Sequence, residues 1–338
     1  MRKALITGVT GQDGSYLADF LLAKGYKVYG TRRRTSTPNI WRLQYLGVLD
    51  NKNFELLDSD ITDLGDNIRL LESCEPDEIY NLAAQSFVNV SFYQPKLTAE
   101  ITAIGTLTIL EAIRIVNKNI KFYQASSSEM FGKVYEIPQN ENTNFYPRSP
   151  YAVSKLFAHW TAINYRESFD IFTACGILFN HESPLRGEEF VTKKITKGLA
   201  SIKLGKQEVL SLGNIYSKRD WGHAKDYVQA MWKMLQVETP DNYVIATGRT
   251  ENIKSFVNLS CKKLGFDVSW NGKGINEECI DVKTGKPLVK VSKDLFRPNE
   301  VDFLIGDALK AKDKLDWLPK VSLEELCGEM VDFDLENL

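Results

Sequence analysis

Three glycines at a spacing of three residues, Gly8, Gly11 and Gly14, constrain this chain more than any other feature. They follow a short apolar run at 3–6 that reads as a buried strand. They precede Tyr16, Leu17, Phe20 and Leu21, which recur at helical spacing until Gly25 stops the pattern. A glycine turn between a first strand and its helix lets the backbone approach a pyrophosphate, which then rests on the helix N-terminus. Gln12 and Asp13 lie in the same loop. The spacing is G-x-x-G-x-x-G rather than G-x-G-x-x-G, and a tight turn by itself also favours glycine. The place of the loop at the first strand–helix junction is what favours a dinucleotide.

The rest of the first half repeats the strand–helix rhythm. Further strands are expected at 27–31, 54–57, 78–82, 121–125 and 171–178, with helical patterns at 63–74, at 98–116 and from Tyr151 onward. In the 98–116 stretch Ile104, Leu107 and Leu110 form one stripe. Such alternation predicts an α/β fold with a Rossmann-like, doubly wound parallel sheet. Beyond Asn180 the rhythm breaks into a loop, a basic helical pattern at 191–204 and a short strand at 208–212. A helix at 223–236 and a strand at 243–246 resume it, whereas 265–300 reads as irregular and polar. We therefore expect 1–180 and 214–246 to form a dinucleotide-binding domain. Residues 181–213 and 247–338 should form a smaller, interleaved α/β substrate domain.

With 338 residues the chain can bury a substantial core. A net charge of −2 and no large basic face argue against a nucleic-acid partner. The five cysteines are scattered and contain no C-x-x-C pair, which favours reduced thiols and a cytoplasmic location. His159, His181 and His223 show no metal-ligand spacing, so no metal is expected. The N-terminal apolar run is too short for a signal peptide, and no run reaches membrane-spanning length.

Two further stretches carry chemistry. At the end of the second strand stand Arg32, Arg33 and Arg34 with no acidic residue, where an NAD site offers a carboxylate and an NADP site offers arginine. A solvated basic loop is the plainer reading, but at this position Arg33 and Arg34 suit the 2′-phosphate of NADP. Tyr151 and Lys155, four apart on one helical face, can reach one substrate hydroxyl. The lysine charge is expected to lower the tyrosine pKa and make the phenol a proton acceptor. Tyr-x-x-x-Lys alone is common; a dinucleotide loop upstream and the run Ser126-Ser127-Ser128-Glu129 at a strand end give it weight.

The runs Ile6-Thr7-Gly8 to Leu17, Tyr80 to Ser86, Phe122 to Ser126 and Phe145 to Tyr151 resemble the extended short-chain dehydrogenase/reductases. With Gly176 to Pro184, Lys218 to His223 and Phe296 to Asp302, they resemble the GDP-mannose 4,6-dehydratase family within that group. The resemblance implies transient oxidation at C4 of a GDP-linked sugar, proton removal at C5, water loss from C6 and return of the hydride to C6. It assigns the C5 base to Glu129, the C4-hydroxyl proton to Tyr151, support of tyrosine and nicotinamide ribose to Lys155, and a hydrogen bond at O4 to Ser127. Ser128 stands where the dTDP-glucose dehydratases carry aspartate, which counts against that branch. Asp60 and Ile61 are implied near the adenine, Leu82, Ala83, Gln85 and Ser86 along the cofactor, and His181 and Arg186 on the cofactor side.

A nucleotide diphosphate needs positive charge, and arginine adds a planar fork for phosphate oxygens. Lys193, Arg219 and Arg297 are the candidates, with Asn180 near the sugar and Glu300 as the acid at the nucleotide end. Three rivals stay open: a GDP-manno-heptose dehydratase, a nucleotide-sugar epimerase or ketoreductase on the same fold, and a non-catalytic nucleotide-binding regulator. The resemblance also implies a homodimer or homotetramer through the helices near 98–116 and 151–168.

Overall fold

Alternate residues of the early strands are apolar on both sides, so both faces of the sheet they form must be covered. In the computed structural model, which describes residues 1–296 and 303–338, this is what happens. The strands β1 (Lys3–Thr7), β2 (Lys27–Arg32), β3 (Phe54–Asp58), β4 (Glu78–Asn81), β5 (Lys121–Ser127) and β6 (Thr173–Leu178) pair in parallel. Their order across the sheet is 3-2-1-4-5-6, and the strand Asn242–Ile245 adds a seventh, parallel to β6.

Leu5, Ile79, Phe122 and Cys175 pack on one face against α3 (Leu64–Cys74), α6 (Gly105–Val116) and α7 (Pro150–Phe169). Ala4, Ile6, Tyr80, Tyr123 and Ala174 pack on the other against α1 (Gln12–Ala23) and α9 (Ala224–Met234). The start of α7, which matters most below, is set locally. Ser149 caps it by accepting from the Ala152 N–H at 3.1 Å, and Pro150 occupies the first turn.

A second core joins α8 (Val191–Lys203), α10 (Ile253–Lys263) and α12 (Leu323–Asn337) to a four-stranded sheet. That sheet runs Val268–Asn271, Glu278–Asp281, Pro287–Val291, Leu210–Leu212. Three of its strands fall within the stretch that reads as irregular, because they are only four or five residues long, with polar or charged residues among the apolar positions. Packing also crosses the expected boundary after 246. Ala311, Leu315 and Trp317 sit in the first core with α1 and α9. The helical stretch at 98–116 is not one regular helix. A wide π-type turn at Glu100–Ile104 precedes α6 and shifts the phase, so that Ile109, Leu110 and Ile113 are buried while Ile104 is 44% exposed. Among the described residues no helix is long and apolar enough to cross a membrane.

Candidate active site

The carboxyl ends of β1, β4, β5 and β6 open into one cavity of about 520 Å³, lined on its far side by residues of the second core. This is the edge where open α/β sheets hold their ligands. On its near side the glycine loop is tight. Gly8 has φ +68°, and a Cβ there would lie 3.0 Å from the Ala83 backbone; at Gly14 it would lie 2.6 Å from the Gly8 carbonyl oxygen. Gly11 also lines the cavity. The Thr7 hydroxyl ties the loop to the end of β4, accepting from the Leu82 and Ala83 N–H groups at 3.1 Å and donating to Asn81 Oδ1 at 2.7 Å.

Gln12 and Asp13 link this loop to the segment after β6. Gln12 Nε2 donates to the His181 carbonyl at 3.2 Å, and Ser183 Oγ donates to Gln12 Oε1 at 2.7 Å. His181 Nε2 meets Asp13 Oδ2 at 2.7 Å while Nδ1 meets the Phe179 carbonyl at 2.7 Å, so both ring nitrogens face acceptors. Burial opposes charge on both partners. The attraction of His181 nevertheless brings Asp13 down to about 2, and Asp13 in turn raises His181 above its ordinary value.

Tyr151 and Lys155 enter from α7, and Ser127 and Glu129 from the end of β5; all four line the cavity. Lys155 Nζ donates to the Ala125 carbonyl at 2.7 Å, and burial depresses its pKa to about 8. Ser127 Oγ accepts from the Glu129 N–H at 3.2 Å, which turns the chain and directs Glu129 into the half-buried wall. The expected lowering of the tyrosine pKa is not found. Burial dominates and holds the Tyr151 phenol well above its ordinary value, Ser127 offsetting part of the rise and the Glu129 charge adding to it.

Other expected residues divide. Leu82, Ser86, Asn180, His181, Arg186 and Arg219 line the cavity. Among the described residues Asn180 Oδ1 is buried and meets no hydrogen-bond partner. Arg186 pairs with Glu182 at 2.9 Å and stacks 3.5 Å from the Phe190 ring centre. Ala83 and Gln85 flank the wall, and the Gln85 side chain is engaged by Thr98 and Phe87. Arg32 is paired with Asp58 at 2.8 Å, whereas Arg33 and Arg34 are exposed just beyond β2. Ile61 is buried beside α3, and Asp60 accepts from both the N–H and the hydroxyl of Thr62.

Lys193 is a correction. It does not line the cavity; it is buried between α8 and α12, with Nζ on Asp334 at 2.5 Å and on the Pro184 carbonyl at 2.8 Å. One residue along a helix turns the side chain by about 100°, and Lys194 lines the cavity instead, its pKa lowered by burial. The apolar positions of α8, Ile195 and Leu199, show which way the helix faces, and could have separated the two lysines. Arg297 and Glu300 lie outside the described residues. Among the described residues no group of three or more metal-ligating side chains converges.

The lining of this cavity fits a dinucleotide. Glycine is required by the backbone at positions 8 and 14, Gln12, Asp13 and Gly14 of the first turn of α1 line the cavity, and Lys155 and Arg186 share its wall.

A sequence model described as GDP-mannose 4,6 dehydratase matches residues 5–330. The GDP-mannose 4,6-dehydratase of Yersinia enterocolitica serotype O:8 is 51% identical, over 100% of this chain and 95% of that protein. The human GDP-mannose 4,6 dehydratase is 50% identical, over 98% of this chain and 91% of its own length. Among solved structures, the dTDP-glucose 4,6-dehydratase DesIV of Streptomyces venezuelae, with NAD and TYD bound, superposes with a TM-score of 0.84. It is 22% identical and is covered over 99% of this chain and 97% of its own. RMD from Pseudomonas aeruginosa, complexed with NADPH, superposes with a TM-score of 0.79 at 22% identity, each chain covered in full. At half identity over nearly the full length of its relatives, this chain belongs to the GDP-mannose 4,6-dehydratase family.

Proposed function

We propose that the chain is an NADP-dependent lyase that converts GDP-mannose to GDP-4-keto-6-deoxymannose and water. One observation carries this reading: Glu129 shares a single cavity with Ser127, Tyr151 and Lys155. An epimerase needs the last three and no further carboxylate. Elimination needs a base for the C5 proton, and Glu129 is the carboxylate at hand.

In this mechanism Ser127 donates to O4 and Tyr151 takes the C4-hydroxyl proton. Bound NADP supplies the hydride acceptor for C4 and the hydride donor for C6. Lys155, held on the Ala125 carbonyl, offers its remaining donors to the nicotinamide ribose and its charge to the developing tyrosinate. That charge must overcome the burial that keeps the phenol protonated. Glu129 removes the C5 proton, which the C4 ketone has made acidic, and passes it to the C6 hydroxyl, which leaves as water. As hydride returns to C6, C5 takes up one proton, matching the one given up at the C4 hydroxyl.

For the cofactor we assign Gly8, Gly11, Gln12, Asp13 and Gly14 to the pyrophosphate, Arg33 and Arg34 to the 2′-phosphate, and Asp60 and Ile61 to the adenine end. Arg32 is tied to Asp58, which supports its two neighbours for the phosphate. Leu82, Ala83, Gln85 and Ser86 flank the nicotinamide half, with His181 and Arg186 behind it. Asn180 and Arg219 are assigned to the substrate, and Lys194 takes the place expected of Lys193. The domain at 1–180 and 214–246 would thus carry the cofactor and that at 181–213 and 247–338 the nucleotide sugar. Five free, buried cysteines support a reducing, cytoplasmic setting. Exposed Val153, Phe157 and Trp160 on α7 support a homo-oligomer through that helix.

The test is side-by-side turnover of GDP-mannose and GDP-manno-heptose by the NADP-loaded protein, with product mass recorded. Loss of one water from GDP-mannose, faster than from the heptose, is expected. A heptose preference would replace the sugar, and an unchanged product mass would replace the reaction.

A further inference from the structure

His159 is a buried histidine that the mechanism above does not use. It lies one turn beyond Lys155 on α7, 2% exposed, and its Nδ1 shares a 2.8 Å hydrogen bond with Ser126 Oγ. The preceding rung is Lys155 Nζ on the Ala125 carbonyl at 2.7 Å. Consecutive residues of β5, Ala125 and Ser126, are thus bonded to consecutive turns of α7. The next residues along the strand are Ser127 and, two further, Glu129; the preceding turn of the helix carries Tyr151. The imidazole is walled by the Phe145 ring, edge-on at 5.4 Å, and by Trp160 at 5.9 Å, so it has little freedom to reorient.

We propose that His159 is a positioning residue. Through Ser126 it locks the carboxyl end of β5 to α7, and so sets the Ser127 hydroxyl and Glu129 carboxylate against the Tyr151–Lys155 pair. The ladder to β6 holds the backbone of this strand end through Ser127, and the His159–Ser126 bond adds a second tie between it and α7 beyond that of Lys155. The chemistry needs both sides in register: Ser127 and Tyr151 meet at O4, while Glu129 reaches C5 of the same ring. Displacements of about 1 Å at such a site cost on the order of a hundredfold in rate.

This inference rests on the dehydratase reading for the role of Glu129, but not for the alignment of Ser127 with Tyr151. Two variants separate positioning from bulk packing. His159→Leu keeps volume and loses the hydrogen bond; His159→Asn keeps an amide near the Nδ1 position and leaves a void. We expect His159→Leu to lower kcat by about tenfold or more, with KM and NADP affinity within about twofold. His159→Asn should recover kcat to within about threefold of wild type while melting below the leucine variant. Ser126→Ala should match His159→Leu, and the double variant should be no slower than the slower single one, since both remove the same bond.

The hydride step is read separately, as transient reduced-nicotinamide absorbance on whichever nucleotide sugar the wild type accepts; water loss is read by product mass. A wild type that forms the transient but releases no water removes the dehydratase reading and leaves the ladder to be judged on the hydride step. Rates that follow melting temperature, with asparagine worse than leucine, or additive losses in the double variant, would overturn the ladder. So would a wild type that turns over no nucleotide sugar.

Discussion

The carboxylate at position 129 and the pair at 13 and 181 make the sharpest demands on single residues. Glu129→Gln keeps size and one hydrogen-bonding oxygen but cannot accept the C5 proton. It should bind NADP and GDP-mannose normally by calorimetry and lose about 10²- to 10⁴-fold in water elimination. Near-normal turnover would remove Glu129 from the mechanism. Asp13 and His181 set a pH dependence. Asp13 is lowered from 3.8 to about 2, so its contribution to stability is present above 3.8 and is lost as pH falls through 2. His181 is raised from 6.5, so its contribution is complete below 6.5 and fades as pH rises through the folded value. The melting-temperature gap between wild type and Asp13→Asn should therefore be widest between about pH 4 and 6.5 and shrink toward pH 9. A gap that is flat across that range would mean the pair is not ionised as described.

At the scale of elements, the glycine loop offers the clearest test. A methyl group at Gly14 meets the backbone of Gly8 and Val9 at 2.6 Å, and neither can yield without moving the loop. Gly14→Ala should cost about 1–3 kcal/mol in chemical denaturation and abolish measurable NADP binding; full binding in a folded variant would contradict the cradle. The loop is legible in the sequence because close approach of backbone leaves glycine as the only choice, and the inner strands β1, β4, β5 and β6 because both their faces are largely buried; β3, at the sheet edge, shows itself only through Phe54, Leu56 and Leu57. The helical stretch at 98–116 was legible in extent but not in phase, since a single wide turn rotates every later residue. The strands at 268–271, 278–281 and 287–291 give little signal: each is only four or five residues long, with polar or charged residues among its few apolar positions. Lys193 and Lys194 show the same limit at the site. Charge type and approximate position could be read, but which lysine faces the cavity depends on helix rotation, fixed by Ile195 and Leu199 against the second core. The Tyr151 phenol departs from the expectation because burial, the largest influence on it, cannot be read from spacing.

Across the whole molecule, two cores meet over one cavity, and α7 stands at the centre of the arrangement. One face of this helix presents Tyr151, Lys155 and His159 inward. The opposite face leaves Val153, Phe157 and Trp160 in contact with water, Trp160 at 55% exposure. If a second copy covers that apolar stripe, then catalytic alignment and self-association draw on the same twenty residues. Turnover per mole of protein would then depend on how concentrated the protein is. Serial dilution should lower specific activity along the same curve that sedimentation traces for dissociation, and Trp160→Lys should move both curves to higher concentration together. Activity that stays constant while the particle mass halves would separate the two faces of the helix.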